Sequence, residues 1–347
     1  MSGVQMLTVG DEEGDQRLDR WFRRHFPHVP QGRIEKMCRK GEIRLDGGRV
    51  KAATRVAAGQ TVRVPPLPVA EALARPAAPR VSDADAQMIR ATVLYRDDHI
   101  LALNKPPGLP VQGGSGQSRH VDGLAEALRF ERDEKPRLVH RLDKDTSGVL
   151  LMARSQKMAG ALTRAFRDRE TRKIYWAAVA GVPSPAMGTI RYGLVKAPGH
   201  GAGGEGEKMR CVLPDDVEAT PGAKRAVSDY AVLSALAKRA AWVALVPVTG
   251  RTHQLRAHMA EIGHPIAGDG KYGGSGQENA GDGWGAQLGG EISRKLHLHA
   301  RSLSFDHPVT GARLQITAPL PAHMARSWEI FDWHAGDVPD DPFEELE

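Results

Sequence analysis

Short runs of strand-forming residues recur along the chain from Ile89 onward, and they alternate with helical patterns. Residues 92–106, "TVLYRDDHILALNKP", have the pattern of a hairpin, and residues 173–181 and 229–250 return to strand pattern. Residues 155–170 are typical of an amphipathic helix with four inward positions, Met158, Leu162, Ala165 and Phe166. The mixture predicts an α+β body that extends to about residue 335.

No apolar run approaches the roughly 20 residues that a membrane helix needs. The opening "MSGVQMLTVGDEEGD" lacks the basic and apolar regions of a signal peptide. Cys38 and Cys211 lie far apart and outside any CxxC arrangement, and no acidic or cysteine partner stands near His297 and His299 of "HLHA". We therefore expect a cytoplasmic protein with no membrane partner and no metal site, and a monomer is the default.

The positive charge is concentrated near the N-terminus. The 347 residues carry a net charge of +6, but residues 16–65 hold 13 Lys and Arg against 4 Asp and Glu. That segment is therefore +9 and the rest of the chain is −3. Clustered positive charge predicts a polyanionic partner, because neutralising phosphates releases counterions. Nucleic acid is the leading candidate, ahead of an anionic membrane surface.

Residues 16–65 have the pattern of a compact helix–helix–hairpin unit. The first helix faces inward with Leu18, Trp21, Phe22 and Phe26; Gly41 ends the second, and Asp46-Gly47 predicts the hairpin turn. Residues 66–88 are rich in Pro and Ala and are interpreted as a linker. The glycines of residues 199–206 predict a flexible loop and residues 336–347 a frayed acidic tail.

The N-terminal unit resembles the S4 RNA-binding domain. The resemblance rests on "RLD" at 17–19, a basic second helix, the "G-x-I-x-L-D-G" hairpin at 41–47 and "V-x-x-G-x-x-V-x-V" at 56–64. The usual Asn-Gly of the hairpin is Asp46-Gly47 here, which keeps the turn propensity. The resemblance implies RNA contacts from six basic residues, Arg17, Arg20, Arg33, Lys36, Arg39 and Lys40.

Four further stretches follow that unit in order: "NKPPGLPVQGGSG" at 104–116, "HRLDKDTSG" at 140–148, "RKIYWA" at 172–177 and "TGRTHQLRAH" at 249–258. Together they resemble the RluA family of pseudouridine synthases over essentially the whole chain. The "GGSG" is similar to the RluC branch, which acts on large-subunit (23S) ribosomal RNA. The resemblance implies a mainly antiparallel mixed sheet around a central cleft, and isomerisation of uridine to pseudouridine without a cofactor.

The resemblance also assigns the catalytic residues. Asp143 stands at the essential aspartate, Tyr175 at the base-stacking tyrosine and Arg251 at the active-site arginine, with Leu255 where isoleucine is commoner. An ionised carboxylate can attack C1′ or remove a sugar proton, and a guanidinium within about 4–6 Å would keep it ionised. The tyrosine ring can stack on the extruded base, and its hydroxyl can accept the C5 proton.

Four other residues are predicted to contact RNA: Arg141, Lys173, Arg256 and His258. For Arg141 and Lys173, solvated surface charge is an equal alternative. Two other functions remain open, a noncatalytic ribosome- or RNA-binding factor and a synthase that acts on transfer RNA. A nucleoside or glycoside hydrolase ranks lower, since it needs two carboxylates about 5–10 Å apart, and Asp145 is the nearest candidate for the second.

Overall fold

The computed structural model describes residues 3–67, 81–113, 119–167, 171–197, 208–273 and 292–343. The chain divides into two compact units, residues 1–80 and 81–347. Among the described residues, no helix is both long and apolar enough to cross a membrane. The glycine-rich residues 199–206 lie outside the described residues, as do residues 114–116 of "GGSG".

The N-terminal unit contains the predicted pair of helices and the hairpin. Its elements are β1 (Gln5–Thr8), β2 (Gln16–Arg17), α1 (Leu18–His25), α2 (Gln31–Lys40), β3 (Arg44–Leu45), β4 (Gly48–Arg49), β5 (Arg55–Val56) and β6 (Thr61–Val64). One sheet has the order β1-β6-β3-β4, and β2 pairs with β5. Strand β1 precedes the predicted boundary at residue 16 and was missed.

The core and the turn of this unit follow from the sequence pattern. Trp21 and Phe22 of α1 are fully buried against Ile34 of α2. Between β3 and β4, Asp46 and Gly47 have φ angles of 47° and 80°. Positive φ at both central residues is what a two-residue hairpin turn requires, and Asp-Gly is a sequence that tolerates it.

The larger unit is built on one 11-stranded sheet. Its elements are α3 (Asp83–Ala91), β7 (Val93–Arg96), β8 (Ile100–Lys105), α4 (Val121–Leu124), β9 (Arg137–Leu138), β10 (Ser147–Ala153), α5 (Gln156–Arg167), β11 (Arg172–Ala180), β12 (Met187–Lys196), β13 (Met209–Val212), β14 (Lys224–Leu236), β15 (Ala240–Pro247), α6 (Gln254–Glu261), β16 (Leu298–Asp306), β17 (Arg313–Thr317) and α7 (Ala322–Phe331).

The strand order is β13-β12-β14-β15-β11-β16-β10-β8-β7, with β17 on β16 and β9 on β10. Every pair is antiparallel except β10 with β16. The predicted α+β class with a mainly antiparallel sheet is therefore confirmed.

Strand alternation assigns the two faces of the sheet to different helices. Along β11, Ile174 and Trp176 pack in the cluster that contains Trp328 of α7, whereas Ala177 packs in the cluster that contains Met259 of α6. Successive side chains of a strand point to opposite faces, so α6 and α7 cover opposite faces. This arrangement brings α6 to the face toward which the odd-numbered residues of β11 point.

Two predicted boundaries are wrong. The sequence predicts a linker up to residue 88, but α3 already begins at Asp83. The Ser82 hydroxyl oxygen caps this helix by accepting from the Asp85 N–H at 3.2 Å. Serine is a preferred N-cap residue and stabilises the start of the helix. The Pro and Ala content of the segment does not reveal this cap. At the other end, Asp341 accepts two hydrogen bonds from Arg172 and Phe343 is buried. Residues 336–343 are thus not a frayed tail.

Candidate active site

Asp143 lies in the turn that leads into β10, and the turn is held by its own sequence. The Thr146 N–H donates to the Asp143 carbonyl oxygen at 3.2 Å. Gly148 follows with a φ of 105°, and a Cβ there would meet the Ala300 carbonyl oxygen at 2.2 Å. The parallel pairing of β10 with β16 therefore requires glycine at the end of "HRLDKDTSG".

Lys105 stabilises this turn through hydrogen bonds to backbone carbonyl oxygens. The sequence analysis did not identify this role. Its fully buried Nζ donates to the carbonyl oxygens of Pro106, Leu109 and Lys144 at 2.8–2.9 Å. Burial lowers the pKa of Lys105 to about 7, while the charges of Asp143 and Asp145 oppose that shift. A lysine before the paired prolines of "NKPPG" was the only sequence signal.

The carboxylate of Asp143 is paired with Arg256. Arg256 Nη1 lies 3.4 Å from Asp143 Oδ2, while its Nε and Nη2 donate to the two oxygens of Asp269, both at 2.7 Å. Asp269 is 1% exposed and the Arg256 side chain 7% exposed. We call Asp143, Arg256 and Asp269 the ion-pair chain. A bidentate bond to Asp269 fixes the plane of the Arg256 guanidinium. The position of Nη1, which faces Asp143, is therefore fixed as well.

Burial lowers the pKa of Arg256, but the hydrogen bonds to Asp269 and the charges of both carboxylates outweigh burial and raise that pKa. The guanidinium therefore stays charged, 3.4 Å from Asp143 Oδ2. A carboxylate held in this way is the type of group that acts as a base or a nucleophile.

The predicted pairing of Asp143 with Arg251 is wrong. The Arg251 side chain is exposed, and its Nε donates to the Arg225 carbonyl oxygen at 3.1 Å. Arg251 precedes α6, whereas Arg256 lies on the buried face of the helix, two residues after its first residue, Gln254. The sequence did not show which of the two arginines of "TGRTHQLRAH" turns inward.

His258 was predicted to contact RNA, and this is also wrong, because its side chain is completely buried. Its ring lies 6.2 Å from that of Tyr192, and burial lowers its pKa to about 4. Neither ring nitrogen has a hydrogen-bond partner among the described residues. Six successive residues of α6 are buried. Several of them are polar, so hydrophobic periodicity could not predict that the whole stretch is buried.

Tyr175 lies on β11 at a β-bulge, where the register with β16 shifts between Ile174 and Tyr175. A bulge re-aims the side chain that follows it. Burial raises the pKa of Tyr175, and the negative charge of Asp143 adds to the shift. Its hydroxyl therefore keeps its proton at neutral pH, and its assigned role stays a prediction.

Lys173 is half-buried, with Nζ 4.4 Å from the centre of the Phe166 ring, and burial lowers its pKa to about 8. Phe166 also stacks on His140 at 4.7 Å, and His140 Nε2 accepts from the Leu151 N–H. This packing supports the segment before Asp143 and does not favour the predicted phosphate contact. Arg141 is exposed, and its predicted contact with RNA stays a prediction.

The six basic residues of the N-terminal unit that are predicted to contact RNA are all exposed. We call this set, Arg17, Arg20, Arg33, Lys36, Arg39 and Lys40, the basic face. Two members have acidic partners: Arg17 binds Asp19 at 2.6 Å, and Lys40 lies 3.8 Å from Glu42. The other four form no ion pair within the part of the chain that the structure describes.

His253 completes the surroundings of Asp143, and sequence reasoning did not select it. It occupies the N-cap of α6 with a φ of 52°, in the left-handed region that non-glycine residues rarely adopt. Its Nε2 lies 3.9 Å from Asp143 Oδ2, and its Nδ1 lies 3.0 Å from the Tyr272 hydroxyl oxygen. Within the described ranges, no group of three or more His, Cys, Asp or Glu side chains could hold a metal ion.

The sequence and the fold match known RNA-modifying enzymes. A family model described as RNA pseudouridylate synthase matches residues 99–261. Ribosomal large subunit pseudouridine synthase C of Vibrio cholerae is 35% identical over 326 residues, 93% of this chain and 96% of that protein. The Escherichia coli protein of the same name is 36% identical over 328 residues, 93% of this chain and 95% of that protein.

Among solved structures, Human RNA Pseudouridylate Synthase Domain Containing 4 aligns with a TM-score of 0.57 and 31% identity, over 71% of this chain and 95% of that chain. Since relatives above 30% identity align with more than nine-tenths of the chain, it belongs to the RluA family and is an RNA pseudouridine synthase.

Proposed function

We propose that this synthase isomerises uridine in the ribosomal RNA of the large subunit. The name shared by the relatives that align along almost the whole chain supports this substrate. The observation that carries the chemistry is the ion-pair chain, which holds the Asp143 carboxylate from one side. Isomerisation needs such a carboxylate, and it needs neither a redox partner nor an energy source.

The reaction breaks the bond between C1′ and N1 of uridine and forms a bond between C1′ and C5. The C5 proton is lost and N1 gains one, so the product is an isomer of the substrate. Asp143 attacks C1′ or removes a sugar proton, and either step requires its ionised form. Arg256 pairs with the carboxylate and orients it.

Tyr175 supports the extruded base. Uridine must leave its stack before a side chain can reach C1′ or C5, which costs a few kcal/mol. Stacking on an aromatic ring returns about 1–3 kcal/mol per base. Burial and the charge of Asp143 raise the pKa of Tyr175, so its hydroxyl is protonated at neutral pH. The hydroxyl can therefore take up the C5 proton only after it has passed its own proton to a neighbouring base.

The basic face supplies the sequence-independent part of RNA binding. Its side chains are exposed, and most have no acidic partner among the described residues, so phosphates can neutralise them. The order of helices and hairpin in residues 16–65 supports an S4-like RNA-binding domain. A ribosomal RNA substrate supports a cytoplasmic location. A monomer is consistent with the site, since one chain brings all members of the ion-pair chain together.

Glycoside hydrolysis fits the site less well. It needs a second carboxyl group that can protonate a leaving group or activate water. Asp269 is bound to the same arginine as Asp143. Both oxygens of Asp269 accept hydrogen bonds from Arg256, and the residue is almost fully buried. Asp269 therefore orients the arginine and is not free to act as an acid.

The test is to map pseudouridines in ribosomal and transfer RNA from cells with the gene, without it, and with a copy that carries Asp143→Asn. We expect specific uridines of the large-subunit RNA to lose the modification in the second and third strains alike. Loss at transfer RNA positions alone would replace the proposed substrate. Modification that persists without the gene at every position would contradict the proposal.

A further inference from the structure

Strand β13 forms one edge of the large sheet, and among the described residues only one of its sides pairs with another strand. That side meets β12, from Gly193 opposite Val212 to Lys196 opposite Met209. On the other side, the Met209 N–H donates to the Tyr272 hydroxyl oxygen at 2.8 Å, and Cys211 Sγ lies 3.8 Å from the Ala257 carbonyl oxygen. The free edge of β13 is therefore bound to Tyr272 and to α6.

Tyr272 touches the groups that surround Asp143. The carbon between the guanidinium nitrogens of Arg256 lies 5.2 Å from the centre of the Tyr272 ring. The Tyr272 N–H donates to Asp269 Oδ1 at 3.2 Å, and the hydroxyl meets His253 Nδ1 at 3.0 Å. Burial raises the pKa of Tyr272 to about 12, so the hydroxyl keeps its proton at neutral pH.

These contacts favour one placement of a hydrogen atom. The Tyr272 oxygen accepts from the Met209 N–H, and the hydroxyl can donate its own proton to His253 Nδ1. A neutral imidazole that accepts at Nδ1 carries its hydrogen on Nε2. Burial lowers the pKa of His253, so the ring is neutral above its ordinary titration range. The nitrogen that then bears the hydrogen is the one that faces Asp143 Oδ2 at 3.9 Å.

Both groups that face Asp143 approach the same oxygen. Arg256 Nη1 and His253 Nε2 are 3.4 Å and 3.9 Å from Oδ2. Among the described residues, no side chain donates a hydrogen bond to Oδ1 of Asp143. Arg256 and His253 thus approach Asp143 from the side of Oδ2, and Oδ1 is not bound by a described side chain.

We propose that Tyr272 is a positioning residue for the isomerisation, which holds the His253 N–H toward Asp143 and takes its own position from strand β13. The proposal rests on the catalytic role of Asp143 argued above. His253 would otherwise be free to rotate or to adopt the other tautomer, and its left-handed backbone is tolerated only where neighbouring groups hold it. The edge strand thus sets the orientation of the carboxylate through two side chains.

The test is a double-mutant cycle in the full-length protein with Tyr272→Phe, His253→Asn and both changes together. Phenylalanine keeps the ring and removes the hydroxyl, and asparagine tolerates the left-handed backbone of residue 253. Single-turnover rate and KM are measured on an unmodified large-subunit RNA transcript. Tyr230→Phe is the matched control, because it removes a hydroxyl that donates to the Pro185 carbonyl oxygen at 3.0 Å on the same sheet.

We expect Tyr272→Phe to lower the rate roughly five- to tenfold, as the loss of one buried hydrogen bond does, with KM within about twofold of the parent. The double variant should be no slower than His253→Asn alone, because Tyr272 acts through His253. Tyr230→Phe should keep the parental rate.

Three results would overturn the proposal: a parental rate in Tyr272→Phe, a change confined to KM, or a double variant slowed by the product of the two single effects. If Tyr272→Phe does not fold, His253→Asn decides alone, and its parental rate would overturn the proposal. The parent is assayed first. A parent that isomerises no uridine ends the proposed function, whereas an active parent with an unaffected Tyr272→Phe ends only this inference.

Discussion

The basic face of the N-terminal unit and the ion-pair chain of the larger unit use charge in opposite ways. All six cations of the basic face are exposed, and most have no acidic partner among the described residues. In the ion-pair chain, one cation is shared by two carboxylates, and Arg256 and Asp269 are almost fully buried.

The difference follows from the dielectric surroundings. An exposed charge interacts weakly with any one neighbour, is screened by salt and can exchange counterions for phosphates. A buried charge must be paired, and its pairing fixes its geometry. The first arrangement suits binding that depends on charge, and the second suits chemistry that depends on position. Substitutions in the two regions should therefore have different consequences for binding and for rate.

The largest effect is expected for Asp143→Asn, which is nearly isosteric and uncharged. We expect loss of pseudouridine formation by more than about a thousandfold, since the acting carboxylate is removed, with RNA affinity within a few-fold of the parent. Tritium release from C5-labelled RNA and filter binding measure the two quantities. Activity near the parental level would remove Asp143 from the chemistry.

Arg256→Lys should lower the rate roughly 10- to 100-fold, because a lysine ammonium lacks the planar fork that binds both oxygens of Asp269 while a third nitrogen faces Asp143. Arg251→Lys is the matched control, since Arg251 is exposed and bonds a backbone oxygen. We expect it to change the rate less than threefold. The reverse ranking would restore the pairing that the sequence predicted.

Replacing Arg33, Lys36, Arg39 and Lys40 with Gln should weaken RNA binding and flatten its salt dependence by up to about 3 units of log–log slope, without lowering the rate at saturating RNA. Four exposed basic residues of the larger unit, Arg132, Lys238, Arg239 and Arg313, changed to Gln serve as the control for net charge. An unchanged slope in the first variant would show that the basic face is not the main RNA anchor.

His258→Leu gives the smallest effect and tests burial directly. Burial lowers the pKa of His258 to about 4, whereas an unfolded histidine titrates near about 6.5. Between these pH values the unfolded chain binds more protons, so stability falls as the pH falls through that window. When the pH falls from 8 to 5, the free energy of unfolding of the parent should therefore decrease by about 2 kcal/mol more than that of the variant. Parallel Tm curves of the two proteins would contradict a neutral buried ring.

The sequence determined the elements that depend on neighbouring residues. Alternation predicted the strands, as in the hairpin of β7 and β8, and spacing predicted α5. The motif order identified the family, and the charge of residues 16–65 identified an exposed basic segment. These signals are local, so periodicity and turn chemistry are sufficient to express them.

Tertiary structure decided which side chains meet at the site. Arg251 and Arg256 share one motif, and only the packing of α6 on the sheet turns Arg256 toward Asp143. Asp269 comes 13 residues after Arg256, and Asp143 comes 113 residues before it. No periodicity spans such separations, because the free energy of a buried ion pair depends on the distance between its atoms and on their exclusion from water, and both are set only when the sheet is complete.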